Sequence, residues 1–185
     1  MKSLLKSAGL LLAITFASFS ANAQTKATVQ VGGEAMFPMK NIVENAVNSK
    51  AHTTLVAAVK AAGLVETLQG KGPFTVFAPV NDAFENLPAG TVETLLKPEN
   101  KGTLSKVLTY HVVSGRYDFK ALSKMIEKGQ TTLKTVSGGT LSFQMNGPRN
   151  ILVKDENGNT ANIVTYDVYQ SNGVIQSIDT VLLPK

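Results

Sequence analysis

A strand that is apolar on both of its faces constrains the fold more than any other feature of this chain. In the stretch FTVFAP, the alternate side chains Phe74, Val76 and Ala78 face one side of an extended segment. Phe77 makes the other side apolar as well. A strand without a polar face belongs inside a sheet that is covered on both sides. The sequence therefore predicts a central strand here, and Pro79 ends its hydrogen-bond ladder because proline has no N–H to donate.

The residues after this strand favour an abrupt turn into a helix. Asn81 or Asp82 can accept hydrogen bonds from the first free N–H groups of a helix, as N-cap residues do. Glu85, three residues after Asp82, would complete a capping box. We therefore expect this corner to hold the central strand against a helix.

Hydrophobic periodicity places helices in the first part of the chain and strands in the second. Apolar residues at helical spacing predict helices over residues 42–47, 53–63, 92–96, 103–110 and 118–129. The expected caps of the last three are Thr91, Thr103 and Asp118, and Gly63 is the expected left-handed end of the second. Apolar alternation and turn residues predict strands over residues 131–136, 141–145, 151–154, 161–165 and 174–183, with a hairpin at Gly138-Gly139.

The first 23 residues have the composition of a secretory signal peptide. Lys2 and Lys6 precede an apolar run, and the small residues Ala21 and Ala23 form a cleavage site before Gln24. The run is shorter than the roughly 20 apolar residues needed to span a bilayer, so no transmembrane segment is expected in the mature protein. The protein is therefore predicted to be secreted, to the periplasm or the cell exterior, with residues 24–35 as a flexible leader.

The mature chain is long enough for one domain with a sizeable core, which is predicted over residues 36–185. Without the two signal-peptide lysines, the chain carries 16 basic and 13 acidic side chains, and this excess is too small to indicate a nucleic-acid binder. The excess still favours contact with acidic polymers. The chain contains no cysteine, which excludes a disulfide framework and is ordinary for an exported bacterial domain.

Three motifs resemble, in order and spacing, those of one known family. The stretch TVFAPVNDAF at residues 75–84 resembles the first signature of fasciclin-like domains. LTYHVVSG at 108–115 resembles their Tyr-His segment, and SNGVIQSIDTVLLP at 171–184 resembles their second signature. The lead-in MFPMKNIVENA is similar to the secreted single-domain bacterial type. The resemblance covers nearly the whole mature chain and implies an α+β fold, with a β-sandwich or wedge flanked by several short helices.

The resemblance also implies a role in adhesion or matrix interaction, and it points to one segment. In animal relatives, the segment associated with integrin binding matches residues 165–169 of this chain, where only Asp167 is identical. Integrin recognition is therefore not expected here. A second departure lies in the second signature, where Gln176 stands in place of the usual histidine.

Residues 166–169 are nevertheless the predicted partner-binding segment. If the segment is extended, Tyr166 and Val168 share one face and Asp167 and Tyr169 share the other. The face with the carboxylate should be in water, so Asp167 and Tyr169 are expected to touch the partner while Tyr166 and Val168 anchor the segment. The alternative is that both tyrosines simply pack on the sheet, since strands are rich in tyrosine.

The remaining polar motifs indicate little chemistry. The chain has none of the common catalytic or nucleotide-binding motifs, and no cofactor or metal site is expected. His111 lies where a helix runs into a strand and either bonds to the backbone or belongs to a binding surface. The stretch DENGN at 155–159 lacks the later residues of a calcium loop, so a hairpin turn is predicted. Lysines 120, 124 and 128 recur once per helical turn and form either a solvated face or an anion-binding strip.

The sequence thus favours an exported adhesion or matrix-interaction module without catalytic activity, whose partner is a cell-surface or matrix protein or a polysaccharide. Two alternatives stay open: a periplasmic binding protein for a small molecule or polysaccharide, and a hydrolase that works through carboxylates. A concave pocket with converging acids would favour the hydrolase, and a deep apolar cavity would favour the carrier. A flat surface with exposed tyrosines and lysines would favour adhesion.

Overall fold

The computed structural model describes residues 28–185, so the predicted signal peptide lies outside the described residues. The described chain begins with a hairpin of strands β1 (Val29–Val31) and β2 (Glu34–Met36), which pair antiparallel. Val31 and Met36 are buried in the core. Within the predicted leader of residues 24–35, residues 29–35 thus belong to a hairpin whose apolar side chains pack against the domain.

Seven further strands form one sheet in the order β4-β3-β9-β8-β7-β6-β5. They are β3 (Phe74–Pro79), β4 (Val112–Ser114), β5 (Thr132–Lys134), β6 (Thr140–Met145), β7 (Ile151–Lys154), β8 (Thr160–Gln170) and β9 (Gly173–Ile178). Strand β3 lies between β4, to which it is antiparallel, and β9, to which it is parallel. The predicted central strand is confirmed, and it is buried over its last five residues.

The sheet curls until its two edge strands meet. Val113 of β4 forms a bridge with Thr135 just after β5, and the N–H of Val136 donates to the carbonyl oxygen of Val112 at 2.8 Å. The curl encloses the largest side chains of one of the three buried apolar clusters found within residues 28–185, and we call this cluster the interior core: Phe77, Tyr110, Val113, Leu122, Met125, Leu141, Phe143, Ile151, Val153, Ala161, Ile163, Ile178 and Leu182. The rings of Phe77 and Phe143 lie 5.4 Å apart although their strands are not neighbours, so the sheet wraps around this core.

Within residues 28–185, seven short α-helices accompany the sheet. They are α1 (Ile42–Ala46), α2 (Thr53–Ala62), α3 (Val65–Gln69), α4 (Asn81–Glu85), α5 (Thr91–Leu95), α6 (Lys101–Tyr110) and α7 (Phe119–Glu127). Helices α1, α2 and α6 contribute to the outer core, on the side of β3 that faces away from the interior core: Ile42, Leu55, Ala58, Ala62, Val76, Ala78, Leu104, Leu108, Val112, Val168 and Ile175. Helix α7 packs against β6 and contributes Leu122 and Met125 to the interior core. The prediction of an α+β fold with several short helices is confirmed, and the part predicted as a β-sandwich or wedge is one curled sheet.

Two predicted helix ends are confirmed. Gly63 ends α2 in the left-handed conformation with φ 72°, which a residue without Cβ adopts freely. Asp118 caps α7, because its Oδ1 accepts a hydrogen bond from the N–H of Ala121 at 2.8 Å.

The other predicted caps are wrong, since those side chains have different partners or positions. Asn81 begins α4 but does not cap it: its Oδ1 accepts from the N–H of Thr54 at 3.1 Å, and its Nδ2 donates to the carbonyl oxygen of Lys50 at 2.8 Å. It therefore joins the corner after β3 to the start of α2. Asp82 also lies inside α4, whose N-cap position is occupied by Val80.

Two threonines also lie inside the helices that they were expected to cap. Thr91 is the first residue of α5 rather than its cap, because Gly90 in the left-handed conformation precedes it. Thr103 lies inside α6, which begins two residues earlier. Among residues 28–185, no helix is both long and apolar enough to cross a membrane.

Candidate functional site

Strand β8 is longer than predicted and is irregular where the partner-binding segment was expected. Its register against β9 shifts between Ile163 and Thr165 and again between Thr165 and Val168. Asp167, at the second irregularity, has φ 58°, a left-handed conformation that few residues other than glycine adopt. Tyr166 consequently packs against the interior core, whereas Val168 lies in the outer core on the other side of the sheet. The predicted strict alternation is wrong, because a bulge moves the side chains after it to the opposite face.

Asp167 binds the start of helix α7. Its Oδ1 accepts hydrogen bonds from the N–H of Phe119 at 2.8 Å and from Nε2 of Gln176 at 2.9 Å. The same Gln176 side chain accepts from the N–H of Asp167 at 3.0 Å and donates to the carbonyl oxygen of Tyr117 at 3.1 Å. The glutamine that replaces the family's usual histidine is therefore fully buried and fully hydrogen-bonded. Together the two side chains hold the bulge against α7.

The two tyrosines of the segment also bind neighbouring structure. The hydroxyl of Tyr169 donates to Oδ2 of Asp118 at 3.0 Å, and burial with this hydrogen bond raises the pKa of Tyr169 to about 12. The hydroxyl of Tyr166 accepts from the N–H of Ile151 at 2.9 Å, and its ring meets that of Phe119 edge-on at 5.2 Å. Burial raises the pKa of Tyr166 as well. Both tyrosines, like Asp167, are only partly exposed, whereas Val168 is buried.

We expect Asp167→Ala to lower the free energy of unfolding by about 2 kcal/mol, because it leaves the N–H of Phe119 without its acceptor. Asp167→Asn should cost much less, since its amide oxygen can replace Oδ1 and asparagine tolerates positive φ. Urea unfolding of both variants measures the difference. Equal stabilities of the two variants would contradict an anchoring role for the side chain.

His111 lies inside the protein, where it joins the end of α6 to the C-terminal segment. The N–H of Leu182 donates to its Nε2 at 3.0 Å, so the ring proton resides on Nδ1, which donates to the carbonyl oxygen of Val107 at 2.8 Å. Only 3% of the residue is exposed, and burial lowers its pKa to about 4. The backbone-bonded interpretation is confirmed, and the ring has no free atom to offer a partner.

The neighbouring Tyr110 has a similar structural role. Its hydroxyl donates to the carbonyl oxygen of Thr140 at 2.8 Å and accepts from the N–H of Glu156 at 3.1 Å. Burial raises its pKa to about 12. The Tyr-His pair thus connects one helix to three distant parts of the sheet and tail.

The aspartates of the second half accept backbone hydrogen bonds. In the DENGN turn, Oδ1 of Asp155 accepts from the N–H groups of Asn157 and Asn159 at 2.9 and 2.8 Å, and its Oδ2 accepts from Leu183. Asp179 accepts from the N–H of Asn162 at 2.8 Å. The predicted hairpin turn is confirmed, and within residues 28–185 no group of three histidine, cysteine, aspartate or glutamate side chains could hold a metal ion.

An apolar cavity of about 60 Å³ lies between α2, α3 and the strands β3 and β4. Leu64 and Leu68 line it on the helical side, and Phe74 and Val112 line it on the sheet side. Its volume corresponds to about two water molecules, far below the roughly 300 Å³ at which pockets begin to enclose small-molecule ligands.

The outer surface of strands β5 to β8 forms a broad polar face, which we call the open face. Because Phe143, Val153 and Ala161 point into the interior core, the side chains between them in the paired strands point outward. The open face consists of Thr132, Lys134, Thr140, Ser142, Gln144, Leu152, Lys154, Thr160, Asn162 and Val164. Six of these ten residues are exposed, including Val164, which is 52% exposed. One side of this sheet packs on the interior core and the other side is in water, so the open face is the supported outer surface of a curled sheet.

The chain is similar in sequence to proteins of one family. The Fasciclin domain family model matches residues 50–184. The chain is 47% identical over 160 residues to Protein sll1483 of Synechocystis, covering 86% of this chain and 82% of that protein. It is 36% identical over 159 residues to the cell surface glycolipoprotein MPB83 of Mycobacterium bovis, covering 83% of this chain and 64% of that protein.

A solved structure shows the same fold. The FAS1 domain pair of the insect cell adhesion molecule fasciclin I superposes with a TM-score of 0.68 at 19% identity, over 79% of this chain and 51% of that one. The three motifs that resembled the family lie in β3 and the corner after it, at the α6–β4 junction, and in β9 with the C-terminal tail. The chain belongs to the fasciclin domain family.

Proposed function

We propose that this protein is an exported adhesion module that binds a component of a cell surface or matrix and performs no catalysis. The observation that carries the proposal is the open face. Its backbone is fixed on one side by the interior core, while its outer side presents threonine, serine, glutamine, asparagine and lysine side chains to solvent. Such a surface can form many weak polar contacts with a large partner, without the concave pocket that a small substrate needs.

The relatives support the same class of function. MPB83 is described as a cell surface glycolipoprotein, and fasciclin I as a cell adhesion molecule. The proposal extends that surface role to this chain, whose predicted signal peptide would bring it to the same side of the membrane.

Both alternatives receive less support from the geometry. A carboxylate hydrolase needs acids that converge on a substrate, whereas Asp155, Asp167 and Asp179 each accept hydrogen bonds from backbone N–H groups. A carrier that encloses a small molecule needs a larger volume than the cavity beside β3.

We propose that the segment at residues 166–169 also takes part in binding the partner. The partly exposed sides of Tyr166, Asp167 and Tyr169 can touch a partner, while their polar atoms hold α7 in place. Val168 and His111 act from inside the protein, where they support the surface without contacting the partner.

The proposal is tested by retention of the purified protein on cells and matrix of the producing bacterium. A Lys154→Glu, Val164→Asp variant changes the charge and hydropathy of the open face at two exposed positions. We expect its retention to fall about tenfold, as for the loss of one or two contacts in a binding surface, with an unchanged melting temperature.

The matched control is Lys60→Glu, Val47→Asp, which makes the same two changes on exposed residues of the helical side. Its retention should equal that of the wild type. Equal retention of both variants would move the binding surface away from the open face. A wild-type protein that is not retained at all would overturn the adhesion proposal itself.

A further inference from the structure

The positive charge of this protein is concentrated in one part of the fold. Residues 116–154, which form β5 to β7 and helix α7 with their connections, carry seven basic and two acidic side chains. The rest of the described chain carries eight basic and eleven acidic side chains. The small net charge therefore conceals a basic region, residues 116–154, and an acidic remainder of the described chain. A charged partner responds to the local field rather than to the sum.

Helix α7 presents the most regular part of this charge. Lys120, Lys124 and Lys128 are exposed, one per helical turn and about 6 Å apart, at the side opposite to Leu122 and Met125. Within residues 28–185, none of the three ammonium groups lies within 4.0 Å of a carboxylate. Two carboxylates accompany the three lysines, Glu127 and the N-cap residue Asp118, which accepts hydrogen bonds from Tyr169 and the backbone, so this part of the chain keeps a net positive charge.

A cleft of about 680 Å³ runs beside this lysine stripe, between α7 and strand β5. Lys124 and Lys128 line one wall, and Thr131 and Thr132 line the other. Tyr117 lines it as well. The cleft is open to solvent, and it brings two cations, hydroxyl groups and an aromatic ring to one surface.

We propose that this cleft binds an anionic polysaccharide, with the chain laid along α7 so that its acidic groups meet the lysine stripe. Successive lysines a turn apart suit a linear polymer with repeated negative charges. The threonine hydroxyls can bond to sugar hydroxyls, and the Tyr117 ring can pack against an apolar sugar face. The proposal deepens the adhesion function by naming a partner class, and it rests on that function for the export that brings the protein to such polymers.

The test uses immobilised polygalacturonate as a carboxylated polymer, dextran sulfate as a sulfated one and neutral dextran as the uncharged reference. We expect the wild-type protein to bind both charged polymers and not neutral dextran. Binding should be lost in 0.5 M salt, because salt at roughly this concentration screens exposed charges within a few ångströms. The variant Lys120→Gln, Lys124→Gln, Lys128→Gln should bind about tenfold more weakly, the order expected for three exposed charge contacts.

The matched control is Lys60→Gln, Lys71→Gln, Lys97→Gln, which removes the same number of charges from exposed positions outside the basic region. Wild-type affinity of this control supports the proposal, since net charge alone would weaken both variants equally. Equal loss in both variants, full affinity of the stripe variant, or equal binding to neutral dextran overturns the proposal. If the wild-type protein is retained on cells but binds neither charged polymer, the polysaccharide proposal is wrong and the adhesion function stands. If it binds the charged polymers but is not retained on cells, the adhesion function is wrong and polysaccharide binding stands.

Discussion

Replacement of Phe77 by alanine is expected to lower the free energy of unfolding by about 3–5 kcal/mol. The side chain has no exposed surface, and its ring packs against that of Phe143 in the interior core. Truncation would leave a cavity at the point where β3 faces the far side of the curled sheet, where the backbone cannot collapse without breaking strand pairs on both sides. Domains of this size are stable by about 5–15 kcal/mol, so the variant would be close to unfolding.

Thermal melts of the wild type, Phe77→Ala and Val164→Ala measure this effect. Val164 is 52% exposed on β8, so its truncation should change stability by less than about 0.5 kcal/mol. A shift of about 2–4 °C per kcal/mol is expected at this chain length, which places Phe77→Ala about 6–20 °C below the wild type. A melting temperature within a few degrees of the wild type would show that the aromatic pair does not hold the interior core together.

The central strand could be predicted from sequence because its apolar residues are consecutive and lie within one short stretch. FTVFAP is apolar at successive positions, and such a strand has one stable environment, between two covered faces. The helix ends at Gly63 and Asp118 were predictable for the same reason, since the chemistry of each cap lies within a few residues of it.

The wrongly predicted caps show that neighbouring residues alone do not determine which hydrogen bonds a polar side chain forms. Asn81 has the side chain of a good N-cap, yet its amide bonds to Thr54 and Lys50, which lie about thirty positions earlier in the chain. A side chain with several donors and acceptors goes to whichever backbone groups the fold leaves unpaired, and those groups are not visible in a sequence window.

The candidate site was predicted least well because a bulge lies within it. The prediction assumed that each residue of β8 pairs with one residue of the neighbouring strand. The extra residues near Asp167 break this pairing and move the later side chains of β8 to the opposite face. One local signal was present: aspartate is among the few residues that tolerate positive φ. The partner of that aspartate, Gln176, could not be inferred from pattern, although its departure from the family motif marked the position as unusual.

The largest pH effect is expected from His111, whose stabilising arrangement depends on a neutral ring. Burial lowers the pKa of His111 in the folded protein to about 4, against 6.5 for the group in an unfolded chain. Between these two values the unfolded chain binds a proton that the folded protein does not, so the free energy of unfolding falls as the pH falls. The stabilisation is fully present above pH 6.5 and is lost progressively down to about pH 4, and the 2.5-unit difference amounts to about 3 kcal/mol.

His52 acts in the same direction, because burial also lowers its pKa, so the effect of His111 has to be isolated with a variant. His111→Asn has no titrating ring, and its amide can still donate to Val107 while Leu182 loses its acceptor. Urea unfolding at pH 7.5 and pH 4.5, where most carboxylates are still ionised, should show a wild-type loss that exceeds that of the variant by about 2–3 kcal/mol. The variant is expected to be less stable at pH 7.5, since the N–H of Leu182 is left unpaired inside the protein. An identical loss in both proteins would mean that the pKa of His111 is the same in the folded and the unfolded chain. The ring would then be protonated at pH 4.5 in the folded protein and would donate from both nitrogens, which its bond from the N–H of Leu182 does not permit.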